Sequence, residues 1–183
     1  MLKKSVLISL VSAILLMAAC GPGKEKKQAH IKELEKALFS DKSTIIDKKK
    51  SEEMITAYME YVKEFPKDTI SAAYLFKSAS IQMNNGQPDK SIENFNKVIK
   101  EFPDFKKIEE CYFLKGFVFE NYLKDFASAK KSYNEFLTKF PKSDLADDAQ
   151  VSLENMGLTP EQIMRKFEAK AKEDSLKNTS VKK

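Results

Sequence analysis

The chain has 183 residues, of which 42% are hydrophobic and 32% charged, and its formal net charge is +5. That length is enough for one domain or one short array of repeats. The positive charge belongs to the two ends, because residues 51–160 carry a net charge of −4. A nucleic-acid-binding protein needs a continuous basic surface, so this acidic centre argues against a nucleic-acid partner.

Residues 1–19 have the layout of a cleavable secretory signal. Lys3 and Lys4 precede an uncharged, mainly apolar run from Val6 to Met17. This run of about a dozen residues is shorter than the roughly 20 apolar residues that a transmembrane helix needs. The sequence therefore predicts an exported protein rather than one with a permanent N-terminal transmembrane helix.

The residues Leu-Met-Ala-Ala directly before Cys20 resemble the lipobox of bacterial lipoproteins. The resemblance implies that Cys20 carries acyl chains such as palmitate and anchors the protein to a membrane. Gly21 resembles the residue found there in lipoproteins sorted to the outer membrane, which implies an outer-membrane, periplasm-facing lipoprotein. The alternative is an ordinary cleaved signal in which Cys20 is incidental. Residues 20–28 are predicted to be a solvated tether, and Cys111, the remaining cysteine, a buried and inert thiol.

A short motif recurs along the chain. KEFP occurs at 63–66 and 100–103, and TKFP follows at 138–141, so that the prolines are 37 and 38 residues apart. Apolar residues before each proline recur at the spacing of one helix face, and the proline disfavours helical geometry at the residue before it. Each motif is therefore predicted to end a helix. An aromatic residue stands eight residues before each proline; these residues are Tyr58, Phe95 and Tyr133. Four residues before each aromatic residue stand Met54, Ser91 and Ala129, respectively.

This spacing resembles the second helix of a tetratricopeptide repeat. The first helices of two such hairpins are predicted at 71–86 and 110–125, with one extra residue assigned to the hairpin at 110–125. The resemblance implies an all-α, TPR-like helical-hairpin solenoid with C-terminal capping helices. Its expected parts are a divergent first hairpin at 29–66, two TPR-like hairpins at 67–141, a capping helix at 142–157, a C-terminal helix at 158–176 and a disordered tail at 177–183.

The C-terminal helix has a recognisable start. Thr159 is expected as the N-cap, with Pro160 in the first helical position and Gln162 completing a capping box. Ile163, Phe167 and Ala171 then form a narrow apolar stripe. We expect this stripe to close the exposed end of the array.

Catalytic residues are scarce. His30 is the only histidine, and the sequence has no glycine-rich phosphate loop. The neighbouring acid pairs Glu52-Glu53, Glu109-Glu110 and Asp147-Asp148 cannot converge on one proton or metal, because adjacent helical residues point about 100° apart. These pairs are better explained as acids in the first turns of helices. The sequence predicts no enzyme, no metal site and no cofactor.

Candidate binding positions follow from the resemblance to tetratricopeptide repeats, whose first helices line a concave groove that binds peptides. Packing between helices explains the larger side chains at these positions equally well. The groove positions are Phe76, Ser80 and Met83 on one hairpin and Leu114, Val118 and Asn121 on the next.

The tripeptides beginning at Asp68 and Asp174 resemble bacterial O-glycan acceptor sites, with Thr69 and Ser175 as acceptors.

Together these features predict a membrane-anchored scaffold of the cell envelope that binds a partner protein through its groove. The alternative from another class is a substrate-binding lipoprotein for peptide or glycan uptake, which needs a deep aromatic-lined pocket. The identity of the partner and the oligomeric state are left open by the sequence.

Overall fold

The computed structural model describes residues 22–39 and 47–180, and describes side chains over 23–38 and 47–173. The predicted signal segment and Cys20 therefore lie outside the described residues. Within these ranges the fold is all-α, as predicted, and contains no strand. The helices are α1 Pro22–Phe39, α2 Lys48–Glu64, α3 Thr69–Asn84, α4 Pro88–Glu101, α5 Ile108–Val118, α6 Phe126–Lys139, α7 Ala146–Asn155 and α8 Pro160–Ser180, with a π-helical turn at Phe119–Leu123.

The helices belong to two compact units, divided after Phe105. In unit 1, α1 packs against α2, α2 against α3 and α3 against α4, and in unit 2, α5 packs against α6 and α6 against α7. Such stacking of consecutive helices is the architecture of a helical-hairpin solenoid, in which each repeat buries its apolar face against its neighbour.

The KEFP motifs end helices, as the sequence predicts. Phe65 and Phe102 are the C-cap residues of α2 and α4, and Phe65 N–H donates to the carbonyl of Tyr61 at 2.8 Å. Each proline follows its C-cap directly and keeps the chain from continuing as a helix. After Pro66, the carboxylate of Asp68 accepts the N–H of Ile70 at 3.1 Å and caps α3. The motif is thus a compact signal for the boundary between one hairpin and the next.

The core of unit 1 consists of the aromatic residues that define the period. Tyr58 and Phe95 are fully buried, together with Tyr61. The rings of Tyr58 and Tyr74 stack with centroids 5.0 Å apart, and Tyr61 meets Tyr74 edge-on at 4.9 Å. Burial of a large apolar side chain contributes about 1.5–3 kcal/mol, so these rings help to hold α2 against α3.

Unit 2 repeats this packing around Tyr133 and Phe136, both fully buried on α6. Phe113 on α5 lies against both rings, at centroid distances of 5.6 Å and 5.7 Å. One turn along, Gly116 faces Tyr133 so closely that a Cβ atom there would lie 2.8 Å from the ring. The helices α5 and α6 can therefore meet at this point only because residue 116 has no side chain.

The two hairpins end their first helices differently. In unit 1 the turn uses Gly86 at φ +73°, and in unit 2 the matching position is Lys124 at φ 55°. A residue with a Cβ atom costs about 1–2 kcal/mol in this left-handed conformation, whereas glycine adopts it readily.

The boundaries correct three predictions. Residues 22–28 are helical, so the predicted solvated tether is wrong over that stretch. Because α2 already begins at Lys48, Glu52 and Glu53 lie beyond its first turn. The helix α8 continues to Ser180, so the predicted disordered tail is helical over 177–180. Helix propensity and long-range packing extend helices past the points where sequence signals become weak.

The extra residue predicted inside the 110–125 hairpin lies elsewhere. Tyr74 to Phe95 and Tyr112 to Tyr133 span the same interval of 21 residues. The helix α3 begins three residues after Pro66, whereas α5 begins five residues after Pro103. Loops tolerate insertions better than packed hairpins do, and the added length is in the loop.

The predicted capping box at the start of α8 is confirmed. Thr159 N–H donates to Gln162 Oε1 at 2.8 Å, and Gln162 N–H donates to Thr159 Oγ1 at 3.3 Å. The predicted closure by the apolar stripe is wrong, because Phe167 is 58% exposed and Ala171 is exposed.

Substitution of Gly116 tests the close approach of α5 to α6. Although alanine has the higher helix propensity, by about 1 kcal/mol, Gly116→Ala should lower the free energy of unfolding by about 1–3 kcal/mol, because its methyl group would collide with the Tyr133 ring. Urea unfolding followed by circular dichroism measures the change. The control is Gly23→Ala, where an added Cβ would meet only Glu64 Oε1 at 3.8 Å. Equal effects of the two substitutions would contradict the packing described for Gly116.

Candidate functional site

An open pocket of about 280 Å³ lies on the surface of α3 in unit 1. Most of its lining comes from side chains four residues apart, which share one face of the helix. The lining residues are Tyr58, Phe76, Lys77, Ser80, Ile81, Asn84 and Asn85.

The apolar wall of the pocket is continuous with the core. The Phe76 ring lies 5.9 Å from the rings of both Phe95 and Phe105. Tyr58, on the other side, stacks on Tyr74 and is fully buried as a residue. Because both aromatic side chains are held by core neighbours, the wall keeps its shape without a ligand.

One carboxylate on α1 joins two residues of the pocket. Glu35 Oε1 accepts a hydrogen bond from the Tyr58 hydroxyl at 2.7 Å and forms an ion pair with Lys77 Nζ at 2.6 Å. Partial burial raises the pKa of Glu35, but the hydrogen bonds from Lys77 and Tyr58 outweigh it, so that this pKa is lower than usual. Burial, reinforced by the nearby Glu35, raises the pKa of Tyr58. At neutral pH Glu35 is therefore ionised and Tyr58 keeps its proton.

A second network fastens the start of α1 to the α2–α3 turn. Asp68 pairs with Lys24 at 2.5 Å and accepts the Tyr61 hydroxyl at 2.6 Å. Gln28 Nε2 in turn donates to the Tyr61 hydroxyl oxygen at 2.7 Å. These bonds explain why residues 22–28 dock as a helix, and they could not be inferred from the local lysine-rich sequence.

Two polar side chains of the lining differ in the accessibility of their polar atoms. Asn85 Nδ2 is buried and has no hydrogen-bond partner in the part of the chain that is described. Ser80 Oγ donates to the Phe76 carbonyl at 2.9 Å and keeps its acceptor capacity. The pocket therefore combines an apolar wall with the Ser80 hydroxyl, whose oxygen can still accept a hydrogen bond.

The predicted groove residues are placed unevenly. Phe76 and Ser80 line the pocket, and Met83 is half-buried on the same helix. In unit 2, Leu114 is half-buried, and Asn121 is exposed, with Nδ2 donating to the Phe117 carbonyl at 3.1 Å. Val118 is fully buried, so its prediction as a partner-binding residue is wrong. Val118 belongs instead to the core of unit 2.

The sequence reasoning missed five residues of the pocket lining. Lys77, Ile81 and Asn84 stand on the same face of α3 as Phe76 and Ser80, so helical periodicity from those two residues could have found them. Asn85 is the C-cap of α3, where the periodicity of the helix gives no signal. Tyr58 was recognised as a packing residue, but its place beside the pocket depends on the packing of α2 against α3.

Other predicted positions have structural explanations. Thr69 is exposed at the first position of α3, whereas the side chain of Ser175 lies outside the described residues. Cys111 is fully buried, and burial raises the pKa of its thiol to about 12, as expected for an inert cysteine. His30 is exposed on α1.

Residues 22–39 and 47–180 contain no cluster of three or more histidine, cysteine or acidic side chains that is arranged to hold a metal ion. No helix in those ranges is both long and apolar enough to cross a bilayer.

A tetratricopeptide-repeat family model matches residues 73–104 and 110–143. These segments correspond to the hairpins α3–α4 and α5–α6. Both hairpins are therefore similar to tetratricopeptide repeats. No curated protein matches the chain. Repeats of this kind support a protein-binding role, and the pocket lies on the first helix of the first matched repeat.

Acidification tests the attachment of α1 through Glu35. Since the pKa of Glu35 is lowered on folding, its contribution to stability is complete above its unfolded value of 4.5 and is lost as the pH falls through the folded value. Glu35→Gln should reduce the free energy of unfolding at pH 7 by about 1–2 kcal/mol and weaken its dependence on pH below about 5. Urea unfolding at pH 7 and pH 3.5 measures both effects. Glu53→Gln, at an exposed position of α2, is the control; an unchanged pH dependence in Glu35→Gln would disprove the attachment.

Proposed function

We propose that the protein is a lipid-anchored scaffold of the cell envelope and holds a partner protein through the α3 pocket. The observation that carries the proposal is the preformed apolar pocket on the first helix of a tetratricopeptide repeat. The anchor and the envelope location are supported by the lipobox resemblance at Cys20 and by the signal layout before it.

The size of the pocket favours a side chain of a partner over a whole small ligand. Pockets for small molecules measure about 300–1,000 Å³ and enclose most of the ligand, whereas this pocket has about 280 Å³ and is open. One bulky apolar side chain of a bound peptide fits such a volume and serves as an anchor residue. A larger open cleft of about 470 Å³ in the same unit has no aromatic residue in its lining, so it is not the aromatic-lined pocket that a substrate-binding lipoprotein for peptide or glycan uptake needs.

Ser80 and Lys77 form the polar edge of the pocket and would orient the bound segment. Ser80 Oγ, which already donates to the Phe76 carbonyl, can accept a hydrogen bond from an N–H of the partner. Lys77 Nζ already pairs with Glu35. An acidic residue of the partner would share this cation with Glu35.

The anchor would keep the pocket close to the membrane. The helix α1 begins at Pro22, two residues after Cys20, and Glu35 lies 13 residues further along it. At 1.5 Å per residue this is about 20 Å of helix. Acylation of Cys20 would therefore hold unit 1 within a few tens of ångströms of the bilayer, on the proposed periplasmic face of the outer membrane.

Filling the pocket tests the partner-binding role. Ser80→Arg places a long charged side chain in the pocket from a half-buried helical position, and Asn96→Arg makes the same change at an exposed position on α4. After chemical crosslinking in intact cells, the native chain and Asn96→Arg should capture the same envelope protein, and Ser80→Arg should capture at least about ten-fold less. Equal capture by all three folded proteins would rule out the pocket as the binding site.

Replacement of Cys20 tests the anchor independently. The native chain should sediment with the outer-membrane fraction, and Cys20→Ser should not be acylated and should leave that fraction. Fractionation with metabolic palmitate labelling measures both properties. Labelling of Cys20→Ser at the native level, or absence of label from the native chain, would contradict acylation at Cys20. Neither result would bear on the α3 pocket, which the crosslinking experiment tests.

A further inference from the structure

The helix α8 stands apart from the rest of unit 2. Lys166 Nζ donates to the Glu154 carbonyl at 3.1 Å and to Asn155 Oδ1 at 3.0 Å, which fastens the start of α8 to the end of α7. Beyond that attachment every residue from 167 to 173 is exposed. An isolated helix is marginally stable in water, and most of its stability in proteins comes from packing an apolar face.

Two large apolar side chains of α8 are exposed side by side on this helix. Met164 is 62% exposed and Phe167 is 58% exposed, and they lie three residues apart, within one helical turn. Exposed apolar residues scattered singly are ordinary, whereas a pair on one face of an otherwise unsupported helix marks an interaction surface.

The outer face of α7 has the complementary chemistry. Val151 is 51% exposed on it, beside the exposed acids Asp147, Asp148 and Glu154. Residues 143–155 contain four acidic residues and no basic residue. In contrast, residues 165–172 of α8 contain four basic residues and one acid. The helix α8 is therefore basic and exposes two apolar side chains, whereas α7 is acidic and exposes one, so the two surfaces are complementary.

We propose that a second copy of the chain covers these faces, with α8 of each copy packed on α7 of the other. A two-fold arrangement forms the same contact twice, which doubles the buried surface without a second kind of interface. In this arrangement α8 of one copy packs on α7 of the other, in the position of a second helix of the hairpin. This interface is separate from the α3 pocket and does not depend on the proposed function.

A membrane surface fits the observations less well. The acidic face of α7 would be repelled by anionic headgroups, and α8 offers few bulky apolar side chains for insertion between lipids. A second copy satisfies the basic helix and the acidic helix together.

Charge reversal in the full chain tests the proposal, with Cys20→Ser included so that acyl chains do not cause association. Analytical ultracentrifugation should show a dimer, and Phe167→Glu should raise its dissociation constant at least about ten-fold. Asp147→Lys with Asp148→Lys, or Lys170→Glu with Lys172→Glu, should each disrupt the dimer. An equimolar mixture of these two charge-reversed chains should dimerise again, because each α8 then meets an α7 of opposite charge. The control pair Lys130→Glu and Lys131→Glu, exposed on α6, should leave the dimer intact.

Cysteine pairing locates the contact. A Val151→Cys chain and a tagged Phe167→Cys chain should form a disulfide-linked heterodimer when they are mixed, and the buried Cys111 should not react. A monomeric native chain, a dimer that is indifferent to Phe167→Glu, or the absence of a heterodimer would overturn the proposal. A chain that carries both Val151→Cys and Phe167→Cys and forms only an intrachain disulfide would also overturn it. So would binding of a monomeric chain to anionic vesicles through Phe167.

Discussion

The structure depends on one large aromatic side chain in each second helix, placed eight residues before the proline that ends it. Tyr58, Phe95 and Tyr133 are the three copies, and all are fully buried. Each ring fills the space between its own helix and a neighbouring first helix, and the surrounding residues are adapted to it. Gly116 makes room for Tyr133, and Phe76 lies against Phe95.

Tyr58 shows how a packing residue becomes part of a site. Its ring belongs to the core of unit 1, one edge of it lines the α3 pocket, and its hydroxyl donates to Glu35 on α1. The same phenol therefore supports the pocket wall and holds the N-terminal helix. Because Glu35 also pairs with Lys77, the docking of α1 and the charge at the pocket rim are physically linked. In the proposed lipoprotein, this linkage would connect the membrane-anchored helix to the surface that binds a partner.

Local signals in the sequence were sufficient for the repeated part of the fold. The KEFP motifs, the aromatic period and the capping box at Thr159 act over a few residues, and the structure agrees with each of them. Features that depend on distant partners were not predictable in this way. The docking of residues 22–28 requires Asp68 and Tyr61, and the burial of Val118 depends on packing against other elements of the fold.

The candidate site was predictable to the same extent. Phe76 and Ser80 follow from the repeat pattern, because first helices carry the binding face of such repeats. Asn85 and Glu35 do not, because their roles arise from the turn and from α1. The apolar stripe of α8 was recognised in the sequence, but whether it packs within the chain could be judged only from its exposure.

The central claim is that the α3 pocket holds a partner protein, and site-specific photocrosslinking tests it most directly. A photoreactive amino acid would replace Asn84 in the pocket lining or Asn96 on the exposed face of α4, each in the full chain in intact cells. The account predicts that position 84 crosslinks to one envelope protein, at a segment with a bulky apolar residue, and that position 96 does not. Crosslinking of the same protein with equal yield from both positions, or from position 96 alone, would contradict it.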